Sequence, residues 1–250
     1  MEVIKKWALI TGALGGIGQA LVKEYVNKGF SVIATDIKQP VGSVENVEFI
    51  ELDLAELARS DEYTKSFYRR VQQFTQGQSI CVLVNNAAVQ TLAHSSKLDR
   101  KQWQSSFDVN LTAPFFLSQL FLDDLAKNSG SIVNISSIHA TQTKKEFVAY
   151  ATTKAALSSM TRNMALDLGD KVRVNAIEPA AIATEMLKAG FEGKEDKYSQ
   201  LEAYHPIGRI GTPEEIAKLA VFLSSDDAGF VQGACISASG GIRGCLSDPD

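Results

Sequence analysis

The fold class this sequence predicts is a doubly wound α/β domain, one parallel sheet with helices on both faces, and three observations predict it. Short apolar runs of strand length alternate along the chain with longer segments of helical period. The short runs are continuously apolar, as strands buried on both faces require, and do not alternate between apolar and polar. A glycine-rich turn, Thr11-Gly12-Ala13-Leu14-Gly15-Gly16-Ile17-Gly18, lies directly after the first run and opens the first helical segment. Strand, tight turn and helix in that order begin a parallel βαβ unit.

Taken in chain order, strands are expected at 7–11, 31–35, 47–50, 80–84, 131–135, 172–176 and 234–237, and helices at 17–28, 62–74, 100–126 and 150–168. The last helix is announced by Thr212-Pro213-Glu214-Glu215, a cap residue, then proline at the first helical position, then acids in the first turn. The stretch 182–209 breaks the rhythm, with Met186, Leu187, Phe191, Tyr198 and Tyr204 scattered among charges. So long an excursion in a compact domain reads as a lid or substrate-binding loop.

The chain has 250 residues and is 45% hydrophobic, which suits one domain, residues 1–250, with a substantial core. A net charge of −4 and basic residues that come only in pairs, such as Lys5-Lys6, Arg69-Arg70 and Lys144-Lys145, argue against nucleic acid as a partner. The start, Met1-Glu2-Val3-Ile4-Lys5-Lys6, leads straight into Trp7-Ala8-Leu9-Ile10, and no apolar run reaches the roughly 18 residues of a spanning helix. A soluble, cytoplasmic protein without membrane contact is therefore expected. Cys81, Cys235 and Cys245 are odd in number and far apart, so free thiols are expected. His94, His139 and His205 show no metal-ligand spacing with one another or with the cysteines, and no catalytic metal is expected.

The glycine-rich turn carries the first chemical signal. Gly12 permits the sharp turn, Gly15 or Gly16 lets backbone approach a pyrophosphate, and Gly18 allows close helix–sheet packing, with the helix N-terminus facing the anion. No Gly-Lys-Ser/Thr sequence occurs, which disfavours a nucleotide-hydrolysing loop. Asp36 ends the second strand eighteen residues after Gly18, where a carboxylate would accept hydrogen bonds from adenosine ribose hydroxyls and repel a 2′-phosphate. NAD is favoured over NADP, with Lys38 nearby.

The second signal is Tyr150 and Lys154, whose i, i+4 spacing puts phenol and ammonium on one helix face. Two unit charges roughly 4 Å apart in a partly shielded site interact by about 4 kcal/mol, enough to bring a phenol of pKa about 10 toward neutrality. Ser136-Ser137 ends an apolar strand upstream, Ser137 thirteen residues before Tyr150.

Together these motifs resemble the short-chain dehydrogenase/reductase family, in its short single-domain branch, over essentially the whole chain. The glycine turn, Asp53-Leu54, Asn85-Asn86-Ala87-Ala88, Asp108-Val109-Asn110-Leu111-Thr112, Ser137, Tyr150, Lys154, Arg173-Val174-Asn175-Ala176-Ile177, Pro179, Thr184, Gly208-Arg209 and Pro213-Glu214-Glu215 follow the family's order. Three positions depart from it: Ala88 and Ala180 stand where glycine is more usual, and Ser239 replaces an aspartate before Gly240-Gly241. Without glycine, the backbone at 180 must avoid the left-handed region or carry strain.

The resemblance implies a Rossmann-like fold and a catalytic set of Asn110, Ser137, Tyr150 and Lys154. It implies cofactor contacts from Gly12, Gly15, Gly16, Ile17, Gly18, Asp36, Asp53, Leu54, Asn86, Ala87, Ala88, Tyr150, Lys154, Pro179, Ile182 and Thr184. Tyr150 would be the acid–base of an alcohol–ketone interconversion, Ser137 would hold the substrate oxygen, Lys154 would tune the phenol and bind the nicotinamide ribose, and Asn110 would hold a water. Ser136 is the alternative to Ser137, which the family offset favours. Gln90 and His139, with Ser137 and Tyr150, would face a small polar substrate. Polar residues at those two places are similar to 3-hydroxybutyrate dehydrogenases, and a histidine in this loop also to some sugar dehydrogenases. Phe147 stands where the hydroxybutyrate enzymes carry lysine. An NADPH-dependent 3-oxoacyl-thioester reductase is the runner-up, and a non-catalytic dinucleotide sensor ranks last because the four catalytic positions are intact. The family also implies a homo-oligomer, dimer or tetramer, built on segments 100–126 and 150–168.

Overall fold

The computed structural model describes residues 5–246. The expectation drawn from the start of the chain rests in part on residues 1–4, which lie, like residues 247–250, outside the described residues.

Seven strands form one sheet: β1 (Lys6–Thr11), β2 (Phe30–Asp36), β3 (Val47–Glu51), β4 (Ile80–Asn85), β5 (Ser131–Ile135), β6 (Arg173–Pro179) and β7 (Cys235–Ala238). Their order is β3-β2-β1-β4-β5-β6-β7, and every neighbouring pair is parallel. The helices are α1 (Gly16–Asn27), α2 (Leu54–Leu57), α3 (Asp61–Phe74), α4 (Arg100–Phe107), α5 (Ala113–Leu120), α6 (Leu122–Lys127), α7 (Val148–Leu168), α8 (Glu185–Ala189), α9 (Glu195–Ala203) and α10 (Pro213–Ser224).

The pleat sorts each apolar run onto two faces. Trp7 and Leu9 of β1 join Ile33, Leu83, Ile132 and Val174 on the face covered by Leu54, Phe67, Leu117, Phe121 and Ala165. Ala8 and Ile10 join Val32, Val82, Val133 and Ile177 on the other, against Leu21 and Tyr25 of α1 and Ala217 and Ala220 of α10. Both faces are dry, which is why the strands read as unbroken apolar runs.

The chain winds outward from β1 to β3, returns to β4 beside β1, and winds the other way to β7. The carboxyl ends of β1 and β4 flank that reversal, where an open parallel sheet forms its ligand crevice. The glycine turn leaves β1 there, and Asn86-Ala87-Ala88 leaves β4 beside it.

Some elements differ from the periodicity. The segment 100–126 is not one helix: a π-helical turn at Asp108–Thr112 separates α4 from α5, and a bend at Phe121 separates α5 from α6. Pro114, which cannot donate a backbone hydrogen bond, sits in the first turn of α5 where no donor is needed. Hydrophobic spacing does not register one inserted residue, so the pattern reads through the break. The four-residue α2 is too short to show a period; it is nucleated by the Asp53 side chain, which accepts from the Ala55 and Glu56 amides. The stretch 182–209 contains α8 and α9, so it is partly helical and not a plain loop. Ala180 avoids the left-handed region, and its amide donates to the Ala238 carbonyl at 3.1 Å. Among the described residues no helix is long and apolar enough to cross a membrane, and the three cysteines are free thiols.

Candidate active site

The glycine turn is built for backbone-to-backbone approach. Gly12 has φ +65°, and a Cβ on it would lie 2.7 Å from the Ala87 Cα. A Cβ on Gly18 would collide with the Gly12 carbonyl oxygen, and one on Gly16 would lie 2.9 Å from the Thr184 methyl. Gly15 differs: the nearest atom to a Cβ there is the Gly12 oxygen at 3.5 Å, so its outer side is open. Gly15 is also the N-cap of α1, which has neither a side-chain cap nor an acid in its first turn. Uncapped amides above an open glycine face fit a pyrophosphate.

Hydrogen bonds fix this turn to its surroundings. The Thr11 hydroxyl accepts from the Asn86 and Ala87 amides at 3.0 and 3.1 Å. The Asn86 side-chain NH2 donates to the Thr11 and Gly12 carbonyls at 2.9 and 3.1 Å. Both donors of Asn86 therefore hold the turn against β4, leaving its side-chain oxygen for a ligand. The Asp36 carboxylate accepts from the Leu14 amide at 3.0 Å and the Ile37 amide at 2.8 Å, which fixes its position beside the turn. No lysine or arginine occurs between Thr11 and Gly18. Asp53 spends one oxygen capping α2. Gly18→Ala is expected to cost about 1–3 kcal/mol through the forced displacement of the turn; thermal unfolding checks it, and an unchanged melting temperature would contradict the packing role.

At the carboxyl end of β5, Ser136 and Ser137 are both buried. The Ser137 hydroxyl oxygen accepts from the His139 amide at 3.2 Å, which leaves its own proton free to be donated. On α7, the Lys154 side chain is buried, and its Nζ donates to the Ile135 carbonyl at 2.6 Å. That ammonium lies 5.7 Å from the centre of the Tyr150 ring. Lys154 thus lies beside the phenol, with one carbonyl partner for three donors. The spare donors fit ribose hydroxyls.

Burial dominates the electrostatics of this pair. It raises the Tyr150 phenol above its ordinary value, with the Ser137 hydroxyl pulling the other way. It lowers Lys154 to about 7. The expected lowering of the phenol by a neighbouring cation is therefore absent in the protein alone, because desolvation penalises both charged forms.

Asn110 sits in the π-helical turn and is fully buried. Its amide donates to the Val89 carbonyl at 2.9 Å and the Thr153 hydroxyl at 3.1 Å, and its oxygen accepts from the Val89 amide at 2.8 Å. The side chain ties β4's exit loop to α7, and both of its donors are spent within the protein.

His139 stacks on Phe147 with centroids 4.4 Å apart and meets the Tyr150 ring edge-on at 5.9 Å. Burial, with the charge of Lys144, lowers its pKa, and its Nδ1 is buried without a protein partner. Lys144 lies over the opposite ring, 4.7 Å from the Phe147 centroid. Gln90 and Ala88 are exposed on the loop after β4, which meets the 140s loop where the Ala93 amide donates to the Glu146 carbonyl at 3.0 Å. Glu146 itself has φ +72°, a left-handed conformation uncommon for a residue other than glycine. Past β6, Ile182 is buried and pairs with Gly211, while the Thr184 hydroxyl accepts from the Leu187 amide at 3.2 Å. Glycine turn, Ser137, Tyr150, Lys154 and the 182–184 segment all gather at the strand carboxyl ends.

A family model described as enoyl-(acyl carrier protein) reductase matches residues 12–243. The chain belongs to the short-chain dehydrogenase/reductase family. It is 31% identical to glucose 1-dehydrogenase 2 of Bacillus subtilis (strain 168) over 96% of each chain. It is 34% identical to the 3-oxoacyl-(acyl-carrier-protein) reductase FabG of Thermotoga maritima, over 97% of this chain and 99% of that one. The solved structure of 4-hydroxyisoleucine dehydrogenase complexed with NADH matches with a TM-score of 0.88 at 28% identity, over 97% of this chain and 100% of that one. This short-chain dehydrogenase/reductase therefore has a Rossmann-like single domain as its family fold, with oxidoreductase relatives of several substrate classes. Two features of its site carried no motif: the Phe147–His139 stack, and Thr153 as the partner of Asn110. A buried glutamate behind the serines, Glu178, could have been suspected from the sequence as a lone acid inside the apolar strand 173–179.

Proposed function

We propose that the protein is an NAD(H)-dependent oxidoreductase that interconverts a secondary alcohol and a ketone on a small polar substrate. The observation that carries this reading is the convergence of the Ser137 hydroxyl, the Tyr150 phenol and the buried Lys154 ammonium beside an open glycine turn flanked by a fixed Asp36 carboxylate. NAD would supply the two-electron acceptor or donor. Gly12, Gly15, Gly16, Ile17 and Gly18 would hold its pyrophosphate. Asp36 would take the adenosine ribose, and Asp53, Leu54 and the 86–88 segment would line the adenine side. Pro179, Ile182 and Thr184 would close on the nicotinamide.

Tyr150 exchanges the proton at the substrate oxygen, taking it in oxidation and returning it in reduction. Ser137 donates a hydrogen bond to the same oxygen and steadies charge developing there. Lys154 would hold the nicotinamide ribose and shares its proton with the phenol, and Asn110 would hold a water behind it. His139 and Gln90, on opposite loops, offer polar contacts to the substrate, and the 182–209 segment covers it. Exposed Phe115 on α5 and Leu166 on α7 support a dimer or tetramer formed through those helices, which sedimentation would measure. A cytoplasmic location accords with free thiols.

Turnover with NADH against NADPH over a panel of small hydroxy acids, sugars and keto compounds tests the reading. NADH is expected to be preferred, and Asp36→Ala to shift the ratio toward NADPH by about tenfold or more, because a carboxylate near a 2′-phosphate costs about 1–4 kcal/mol. Preference for NADPH in the unaltered enzyme would favour the thioester-reductase reading instead.

A further inference from the structure

Behind the serine pair, a chain of buried polar groups runs from the carboxy-terminal turn into the site. Glu178, in β6, is 1% exposed. One of its carboxylate oxygens accepts from the Ser158 hydroxyl at 2.8 Å, and the other pairs with the Arg243 guanidinium. The Ser158 hydroxyl is 2.8 Å from that of Ser136, which donates to the Lys154 carbonyl at 3.0 Å. Ser136 precedes Ser137, and Lys154 reaches back to Ile135. The same turn grips the site from a second side: the Gln142 amide donates to the Arg243 carbonyl at 2.8 Å, three residues beyond His139.

A carboxylate and four hydroxyl or carbonyl groups buried together are costly unless each is paired, and paired they admit few alternative arrangements. The Ser158 hydroxyl donates to the Glu178 carboxylate and so can only accept from Ser136, whose single proton is shared between the Ser158 oxygen and the Lys154 carbonyl. That polarity holds β5's exit and α7 at one spacing, and this spacing sets how far Ser137 stands from Tyr150 and Lys154. Arg243 neutralises Glu178 from a side chain 34% exposed, so the ion pair joins the surface turn to the buried chain.

We infer that Glu178 and Arg243 are positioning residues that act as one unit, setting the Ser137–Tyr150–Lys154 geometry through Ser158 and Ser136. The inference rests on the proposed reading of those three residues as the reacting set. The pair weighs unequally on the two sides of the reaction: it touches none of the glycine turn's partners, so it reaches the cofactor through Lys154 alone, whereas the step at the substrate oxygen depends on all three residues it positions.

Glu178→Gln, Glu178→Ala, Arg243→Ala, Arg243→Lys and the double alanine variant test this. With the fastest alcohol in the panel, kcat is expected to fall about tenfold in either single alanine variant, and NADH affinity by clearly less, because the glycine turn that carries most of the cofactor is untouched. Arg243→Lys retains most of kcat, and the double variant is no slower than the slower single one, as for residues of one network. Hydrogen exchange is expected to quicken at 136–143 and 154–158 and not at 12–18. A kcat that stays at the parent value, losses that multiply in the double variant, or losses that follow the melting temperature alone would overturn the inference. Should Glu178→Ala fail to fold, Arg243→Ala and Arg243→Lys decide it from the surface end. The exchange measurement needs no substrate: if no compound turns over, the alcohol–ketone reading fails, while altered exchange at 136–143 still supports the network and unaltered exchange there still removes it.

Discussion

Tyr150→Phe is expected to lower turnover by about 10²–10⁴-fold, the range a positioned acid–base supplies, while leaving NADH binding intact. The substitution removes one oxygen and keeps the ring that His139 and Phe147 pack against, with centroids 5.9 and 6.1 Å away. Folding should therefore survive, and the loss should lie in kcat. Ser137 remains in that variant to hold the substrate oxygen but has no base to pass a proton to, since its partner there is the His139 amide N–H, which can only donate. Steady-state turnover and an NADH titration on the same preparation check both halves. Turnover near the parent rate would remove Tyr150 from its assigned role.

Lys154→Met is expected to be nearly as damaging, about 10²–10³-fold, the scale of removing one preorganised electrostatic donor. It should also weaken NADH, which the tyrosine variant should not, because the buried ammonium has donors beyond the Ile135 carbonyl to offer a ribose. Methionine fills a similar volume without a charge to bury. The variant should accordingly gain most in stability over the parent below about pH 7, where the parent lysine stays charged in the fold, and the gain should shrink as pH rises above it. The sign follows from linkage: the lowered folded pKa means the unfolded chain binds more protons between about 7 and the ordinary lysine value, so this group's cost to stability is present in full at low pH and shrinks as pH rises through that window. Turnover, NADH affinity and denaturant midpoints at two pH values check it. Equal weakening of NADH in both variants would contradict the division of roles.

The sheet was legible in the sequence because β1, β2, β4 and β5 are buried on both faces and so are apolar without interruption. The glycine turn and Asp36 were legible because strand and helix flank them at fixed spacing, and the structure brings them together through the Leu14 amide. The break at Asp108–Thr112 was not, since one inserted residue leaves the apolar spacing intact. Nor were α2, α8 and α9, each too short for a period to emerge.

Within the site, spacing placed Tyr150 and Lys154 side by side but misjudged the balance between them. Spacing registers only charge against charge; the fold adds desolvation, which raises the phenol and lowers the amine. Sequence spacing contains no measure of depth. Glu178 had a readable signal, an acid within a buried strand that had to find a partner, yet its partner Arg243 lies 65 residues away in sequence.

These shifts bear on how the pair works. A buried amine of pKa about 7 beside a raised phenol loses its first proton as a unit, and the remaining proton is shared between the two sites. Oxidation needs the pair short of that proton so that the phenol oxygen can accept one from the alcohol. Reduction needs it present. The two directions should therefore respond to pH with opposite signs.

The pH dependence of kcat in both directions, measured on one enzyme preparation with one alcohol and its ketone from about pH 6 to about pH 9, tests the tyrosine–lysine pair most directly. Oxidation should rise and reduction should fall through a common midpoint near the Lys154 value of about 7, and Lys154→Met should abolish that midpoint. Flat profiles in both directions, or a midpoint that survives in the methionine variant, would contradict it.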